Sequence, residues 1–389
     1  MTLLSDGRYS ESEELFVQVV ETRKRVLGEE HPDTLKSIGN LASTFWSQGR
    51  WKEAEELDAQ VLETRKRVLG DEHPSVLKSM ANLASIILDQ GRWKEAEELF
   101  VQVIETRKKV LGEQHPSTLI GIGNLALTYR HQGRWKEAEE LFVQVLETRK
   151  KVLGEEHPST LISIGNLALT YKHQGRWKEA GELFVQVMET SSRVLGEEHP
   201  STLTSMTNLA STYRHQGWWK EAEELEVQVM KTTSRVLGEE HPSTLTSMAN
   251  LASTYRQQGW WEKAEELFMK VAETRKKVLG EEHPSTLASI ANIASTYRHR
   301  GQWKEAEELF VQVMKTSLRV LGEEHPDTLG IMASLAYTWK SRGRSEDAIS
   351  LMEKCFKLQK QILGPRHFGT VDSLQALNEW RMENVEIRA

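Results

Sequence analysis

Cysteine is nearly absent: Cys355 is the only one in 389 residues, so no disulfide can form within the chain and a reducing compartment is the expected setting. Long apolar runs are missing too. No stretch approaches the roughly 18 residues that cross a bilayer, and Met1 to Ser10 holds no apolar segment of the kind a secretory signal needs. A cytoplasmic protein with no membrane contact is expected. A large excess of one charge is also lacking. The net charge of −7 builds no basic field that would hold nucleic acid. Proline is scarce, and eight of the nine prolines follow a histidine.

That last scarcity exposes the organisation. His-Pro recurs at 31, 73, 115, 157, 199, 241, 283 and 325, always 42 residues apart, and His367-Phe368 continues the register. Two glycine columns keep the same period, one from Gly7 through Gly49 to Gly343, the other from Gly28 through Gly70 to Gly364. Residues 115–156 and 157–198 agree at 35 of 42 positions. A chain this long exceeds one ordinary hydrophobic core, and a fixed period of this length points to stacked units.

Each unit reads as two helices. In one, from about Thr34 to Gln48, Leu35, Ile38, Leu41, Ala42 and Phe45 fall at helical spacing. In the other, from about Trp51 to Val68, Ala54, Leu57, Val61 and Leu62 form the apolar stripe. Glycine closes each helix, and Pro74 sits where a first-turn proline is tolerated. Neither helix buries its stripe alone, whereas stacked pairs do. The expected organisation is a half-repeat over 1–30, eight repeats over 31–366 and a capping helix with tail over 367–389. Because the chain opens in mid-repeat, an N-terminal effector portion is expected ahead of it.

The pattern Asn-Leu-Ala-x-x-Tyr-x-x-Gln-Gly-x-Trp-x-Glu-Ala from Asn166 to Ala180, followed by Leu-Gly-x-x-His-Pro, resembles the tetratricopeptide repeat in the 42-residue form of kinesin light chains. Nearly identical tandem copies are also similar to the C-terminal arrays of fungal NLR-type receptors. The resemblance implies an all-α, right-handed superhelical solenoid of antiparallel helix pairs. It implies a non-catalytic scaffold that holds a protein or peptide without cofactor or metal. A sensing or self-assembly module of a larger receptor is the alternative. The chain has no Gly-x-x-x-x-Gly-Lys-Ser/Thr and no long heptad segment, so neither an NTPase module nor the motor-binding part of a light chain is expected within it.

Nine regularly spaced histidines invite a catalytic or metal reading. Neighbouring copies stand a whole repeat apart, on the order of 10 Å at ordinary helix spacing, against metal–ligand bonds of about 2 Å. A loop-structuring role is expected instead, and an enzyme is not. The Glu63/Arg67 pair on the second helix reads as an i,i+4 couple on a solvated face. Cys355 replaces a valine of the core column that runs through Val61 and Val313. The Trp51 column reads as packing.

Three features are candidates for binding. By resemblance, the first helix of each pair lines a concave groove, and its asparagines (Asn124, Asn166, Asn208, Asn250 and Asn292) hydrogen-bond an extended peptide. The other reading is that these amides bond a neighbouring helix and register the stack. The second feature is a cation near the end of the same helix: Arg130, Lys172, Arg214, Arg256, Arg298 and Lys340. A focused positive row attracts carboxylates and therefore an acidic partner, although cations there also favour the helix dipole without any ligand. The third feature is local: Trp218 and Trp260 replace the turn arginine of earlier repeats and read as an exposed edge patch, open to partner docking or self-association.

Overall fold

The computed structural model describes residues 9–365 and 367–388, with side chains to residue 383. Gly7 and the side chains of the tail beyond Glu383 therefore lie outside the described residues. Eighteen helices and no strand occur among those described. The longer ones are α1 (Tyr9–Leu27), α3 (Trp51–Leu69), α5 (Trp93–Leu111), α7 (Trp135–Leu153), α9 (Trp177–Leu195), α11 (Trp219–Leu237), α13 (Trp261–Leu279), α15 (Trp303–Val320) and α17 (Ser345–Ile362). Alternating with them are α2 (Pro32–Ser47), α4 (Pro74–Asp89), α6 (Pro116–His131), α8 (Pro158–His173), α10 (Pro200–His215), α12 (Pro242–Gln257), α14 (Pro284–His299), α16 (Pro326–Ser341) and α18 (Phe368–Arg388).

The chain forms two compact units, residues 1–129 with 140–148 and residues 130–139 with 149–389. In the first, Val20, Leu35, Ile38, Leu41, Phe45, Ala54, Val61 and Ile86 close one core across the four successive helices α1 to α4. In the second, each cluster again joins a pair to the next: Ala168 and Ala180 meet Phe184 and Leu209, and Leu287 and Phe310 meet Ile331 and Leu335. The alanine column at 54, 96, 138, 180, 222, 264, 306 and 348 is fully buried, because only a small side chain lets the paired backbones approach so closely. Each unit is thus a stack of helix pairs, an all-α solenoid in which a stripe left bare by one pair is covered by the next.

The histidines have a local task. At nine turns, from His31 to His367, the ring Nδ1 accepts the backbone N–H two residues on, at 3.0–3.2 Å. Histidine is therefore an N-cap, satisfying a donor that the helix cannot, with proline following at the first helical position. An accepting Nδ1 places the ring proton on Nε2. The preceding turn is pinned from the other side. Thr160 and Thr202 donate to the carbonyls of Gly154 and Gly196 at 2.8 Å, and those glycines hold φ near +94° and +95°.

Cys355 is fully buried, donates to Leu329 O at 3.2 Å, and burial pushes its thiol up to about 11, as a core replacement requires. One expectation is extended and one corrected. Arg67 feels the charge of Glu63 on the same exposed face, but its direct ion pair is with Glu30 of the preceding repeat, at 2.6 Å. The tryptophan column is not core throughout: Trp93 is buried but Trp303 is 43% exposed. These rings sit at helix starts on the rim, where Trp177 stacks on His215 of the next pair with 4.5 Å between ring centres.

Candidate functional site

The shorter helices of the second unit, α8, α10, α12, α14 and α16, carry the candidate residues in register. Asn166, Asn208, Asn250 and Asn292 are each half-buried, and none of their side-chain amides makes a hydrogen bond among the described residues. Their backbone carbonyls are used, since Thr170, Thr212 and Thr296 donate to Asn166, Asn208 and Asn292 at 2.9 Å. The amides thus do not register the stack. Asn124, likewise half-buried, belongs to the first unit.

The cations take up the register instead. Arg130, Arg214 and Arg256 each extend one guanidinium arm to the asparagine carbonyl of the next pair: Asn166 at 3.5 Å, Asn250 at 3.2 Å and Asn292 at 3.4 Å. Lys172 Nζ donates to Ser211 Oγ at 2.6 Å. Burial followed by the charges of neighbouring cations pushes Lys172 down to about 8 and Arg256 to about 10. The row is half-buried and self-repelling.

Compensation is uneven along it. Arg214 faces Glu226 at 3.5 Å, a carboxylate only 2% exposed that also accepts from Thr254 Oγ1 at 2.5 Å. Lys340 pairs with Glu383 of α18 at 2.8 Å. Lys172, Arg256 and Arg298 have no carboxylate partner among the described residues. Arg298 lies 5.8 Å from the centre of the Tyr337 ring, and its Nε is buried without an acceptor. The row expected to read as one positive stripe is therefore neutralised at Arg214 and open at Arg256 and Arg298.

Between Asn166 and Asn208 the surface opens into a cleft of about 330 Å³, floored by Phe184 and Val187. Trp218 and Trp260 are 52% and 42% exposed. One repeat earlier Arg176 lies on the Tyr171 ring at 3.8 Å, pairs with Glu139 and Glu179, and bonds Gln174 Oε1 at 3.0 Å. The tryptophans keep the ring contact, to Tyr213 and Tyr255, Trp260 adds Lys263 Nζ 4.2 Å from its ring centre, and Gln216 Oε1 and Gln258 Oε1 are left buried without partners.

Sequence reasoning missed the buried carboxylates. Asp58 and Glu226 stand in the column that holds phenylalanine at 16, 100, 142, 184, 268 and 310. The signal was that break in the column. Among the described residues no three His, Cys, Asp or Glu side chains gather as a metal site, and no helix is long and apolar enough to cross a membrane.

A family model described as tetratricopeptide repeat matches in overlapping segments at 1–67, 40–109, 77–151, 118–180, 159–232, 219–277, 250–316 and 286–361. Among solved structures, a kinesin-light-chain-like protein of Podosopora anserina with nearly identical repeats is 40% identical. That match covers 53% of this chain and 97% of the other, with a TM-score of 0.44. BtubC of P. vanneervenii is 18% identical over 63% of this chain and 92% of its own, at a TM-score of 0.45. A Rap protein, solved with competence and sporulation factor, is 12% identical over 91% of this chain and 99% of its own, at 0.54, a likeness of fold. No curated protein matches.

Proposed function

The chain belongs to the tetratricopeptide-repeat family, and on that premise we propose that it is a non-catalytic scaffold whose shorter helices hold an extended, acidic segment of a protein partner. The observation that carries this reading is the pairing of two unsatisfied rows on one set of helices. Amides with free donors and acceptors at Asn166, Asn208, Asn250 and Asn292 can match the backbone of an extended chain, which offers one donor and one acceptor per residue. Half-buried cations at Lys172, Arg256 and Arg298 lack carboxylates, and in such a setting an incoming carboxylate relieves both the burial cost and the mutual repulsion. Arg130 belongs to the same row, whereas Arg214 is held by Glu226 and contributes position more than charge. Exposed Trp218 and Trp260 supply an edge contact beside the row. Their replacement of an ion-paired arginine leaves two buried glutamine oxygens unmatched, a loss that a docking role explains.

The reading is tested by titrating a fluorescent glutamate-rich peptide against the chain and against an Arg256→Gln, Arg298→Gln variant of unchanged helicity. Saturable binding that weakens with salt, and at least about tenfold weaker binding by the variant, are expected. Equal binding by both proteins, or equal binding of a lysine-rich peptide, overturns the acidic groove. An Asn166→Ala, Asn208→Ala, Asn250→Ala variant tests the backbone contacts in the same assay.

A further inference from the structure

One column of the longer helices normally sends an arginine into the space between two successive shorter helices. Arg149 donates through Nη1 to Ser159 O and to Ser163 Oγ, both at 2.9 Å. Arg275 makes the same two bonds, to Ser285 O at 3.1 Å and Ser289 Oγ at 2.9 Å. Arg107 reaches Ser117 O at 2.8 Å and, with its other arm, Leu77 O of the preceding short helix at 3.1 Å. Arg23 repeats the pair of bonds, to Asp33 O at 2.9 Å and Ser37 Oγ at 2.6 Å, and Arg65 keeps the one to Ser79 Oγ at 2.7 Å, so the acceptors that recur are a carbonyl and a serine hydroxyl of the following shorter helix.

One repeat after Arg149 the column holds Ser191, and there the slot is empty of side chain. It is part of the 330 Å³ cleft between α8, α9 and α10. The residues that match these acceptors in the repeat of Ser191 all line it: Ser201 and Ser205, one repeat on from Ser159 and Ser163, and Leu161, two repeats on from Leu77. Ser191 is fully buried at the back, and its Oγ has no hydrogen-bond partner. Ser205 has also turned. Its hydroxyl donates to Thr202 O at 2.7 Å, whereas Ser163 and Ser289 use the carbonyl four residues back, so no side chain donates to Ser201 O. Phe184 and Leu195 give the cleft apolar walls of the kind that sheathe an arginine stem, and no charged residue lines it.

We propose that the Ser191 cleft binds a guanidinium group supplied by a ligand, in the place where the column puts an arginine of its own at 23, 65, 107, 149 and 275. The planar fork of a guanidinium can address acceptors on two helices at once in a geometry that a lysine ammonium lacks, and a carboxylate finds no cation lining the cleft. The group arrives either as an arginine side chain of the bound segment or on a small guanidino compound. The inference rests on the vacated slot and stands independently of the cation row.

The test uses N-acetylarginine amide and N-acetyllysine amide as probes on the full chain, read by calorimetry and by amide-resonance shifts at Leu161, Ser201 and Ser205. The control is Ser191→Arg, which refills the slot with the side chain that Arg149 already places in the same setting, so it folds. Saturable binding of the arginine amide, weaker by at least about tenfold for the lysine amide and lost in Ser191→Arg, is expected. No binding by the parent, or equal binding by parent and variant, overturns the proposal. A second arm compares a glutamate-rich peptide carrying one arginine with the same peptide carrying citrulline. A gain for arginine that Ser191→Arg removes identifies a ligand side chain as the occupant. Binding of the free amide without such a gain identifies a small guanidino compound. If the arginine probes fail while the glutamate-rich peptide still binds, the slot is refuted and the groove stands.

Discussion

Asp58 is buried to 4% exposure in a column of phenylalanines, with its Oδ1 3.8 Å from where a side chain on Gly39 would begin. No hydrogen bond reaches it among the described residues, and burial, opposed only by the charge of Arg65, pushes its carboxyl up to about 6. A carboxyl raised from its ordinary value of 3.8 in the folded state takes up its proton more readily there than when unfolded. Its destabilising effect is therefore full above pH 6 and fades as the pH falls toward 4. Relative to Asp58→Asn, the parent should gain about 1 kcal/mol of stability between pH 7.5 and pH 5.0, read as urea midpoints. Asp58→Phe, restoring the column, should stabilise at pH 7.5 by about 1–3 kcal/mol, the usual worth of burying such a side chain. A midpoint that falls in that variant contradicts the assignment. The column was visible in the sequence, but a single acidic copy carries no burial information until the fold shows that this helix face points inward.

At the scale of the helix, the boundaries were legible because proline marks the starts of the shorter helices from α2 to α16 and glycine closes the turns, and α2 and α3 begin and end within two or three residues of the expected places. The capping chemistry was not legible, since only the fold shows the ring nitrogen meeting the N–H two residues on. His157→Ala should lower stability by about 1 kcal/mol and His157→Asp should retain most of it, both read as urea midpoints, as expected for an N-cap. The cation row was half legible. Its spacing revealed the shared face, but not that Glu226, four repeats of the column away from Asp58, would neutralise Arg214. The tryptophan edge can be separated from packing at this scale too. Trp218→Arg regains a partner in Glu221 three residues on and a donor for Gln216 Oε1. It should therefore raise the midpoint by about 0.5–1 kcal/mol, the ordinary net value of a hydrogen bond. A stabilised variant that binds its partner less well assigns the ring to docking, whereas a destabilised one returns it to the fold.

For the molecule as a stack, the 42-residue period fixed the architecture in advance, because a helix pair that cannot bury its stripe has only its neighbours to bury it. The breaks in that period were harder to weigh. Gly181 interrupts a column of glutamates, Ser191 a column that holds arginine in five of nine copies, and Glu226, like Asp58, a column of phenylalanines, and against a nearly perfect background such breaks look like drift. The structure distinguishes them by what each leaves unsatisfied or newly paired. Within the second unit, Phe184 and Phe310 lie three repeats apart, in separate clusters with no shared neighbour. Phe184→Leu and Phe310→Leu should each cost about 1–2 kcal/mol and sum to within about 0.5 kcal/mol in the double variant. Glu226→Phe and Thr254→Val are the opposite case, because Thr254 donates to Glu226 across a repeat boundary. Removing the threonine hydroxyl alone strips a buried carboxylate of its donor, yet it matters little once the carboxylate has become a ring. The coupling in that pair should be about 1–2 kcal/mol, measured as the departure of the double variant from the sum of the singles. Additivity at Glu226 and Thr254 would mean that the carboxylate is satisfied elsewhere. Strong coupling between the two phenylalanines would mean that strain travels along the stack beyond nearest neighbours, and the repeat could no longer be treated as the unit of stability.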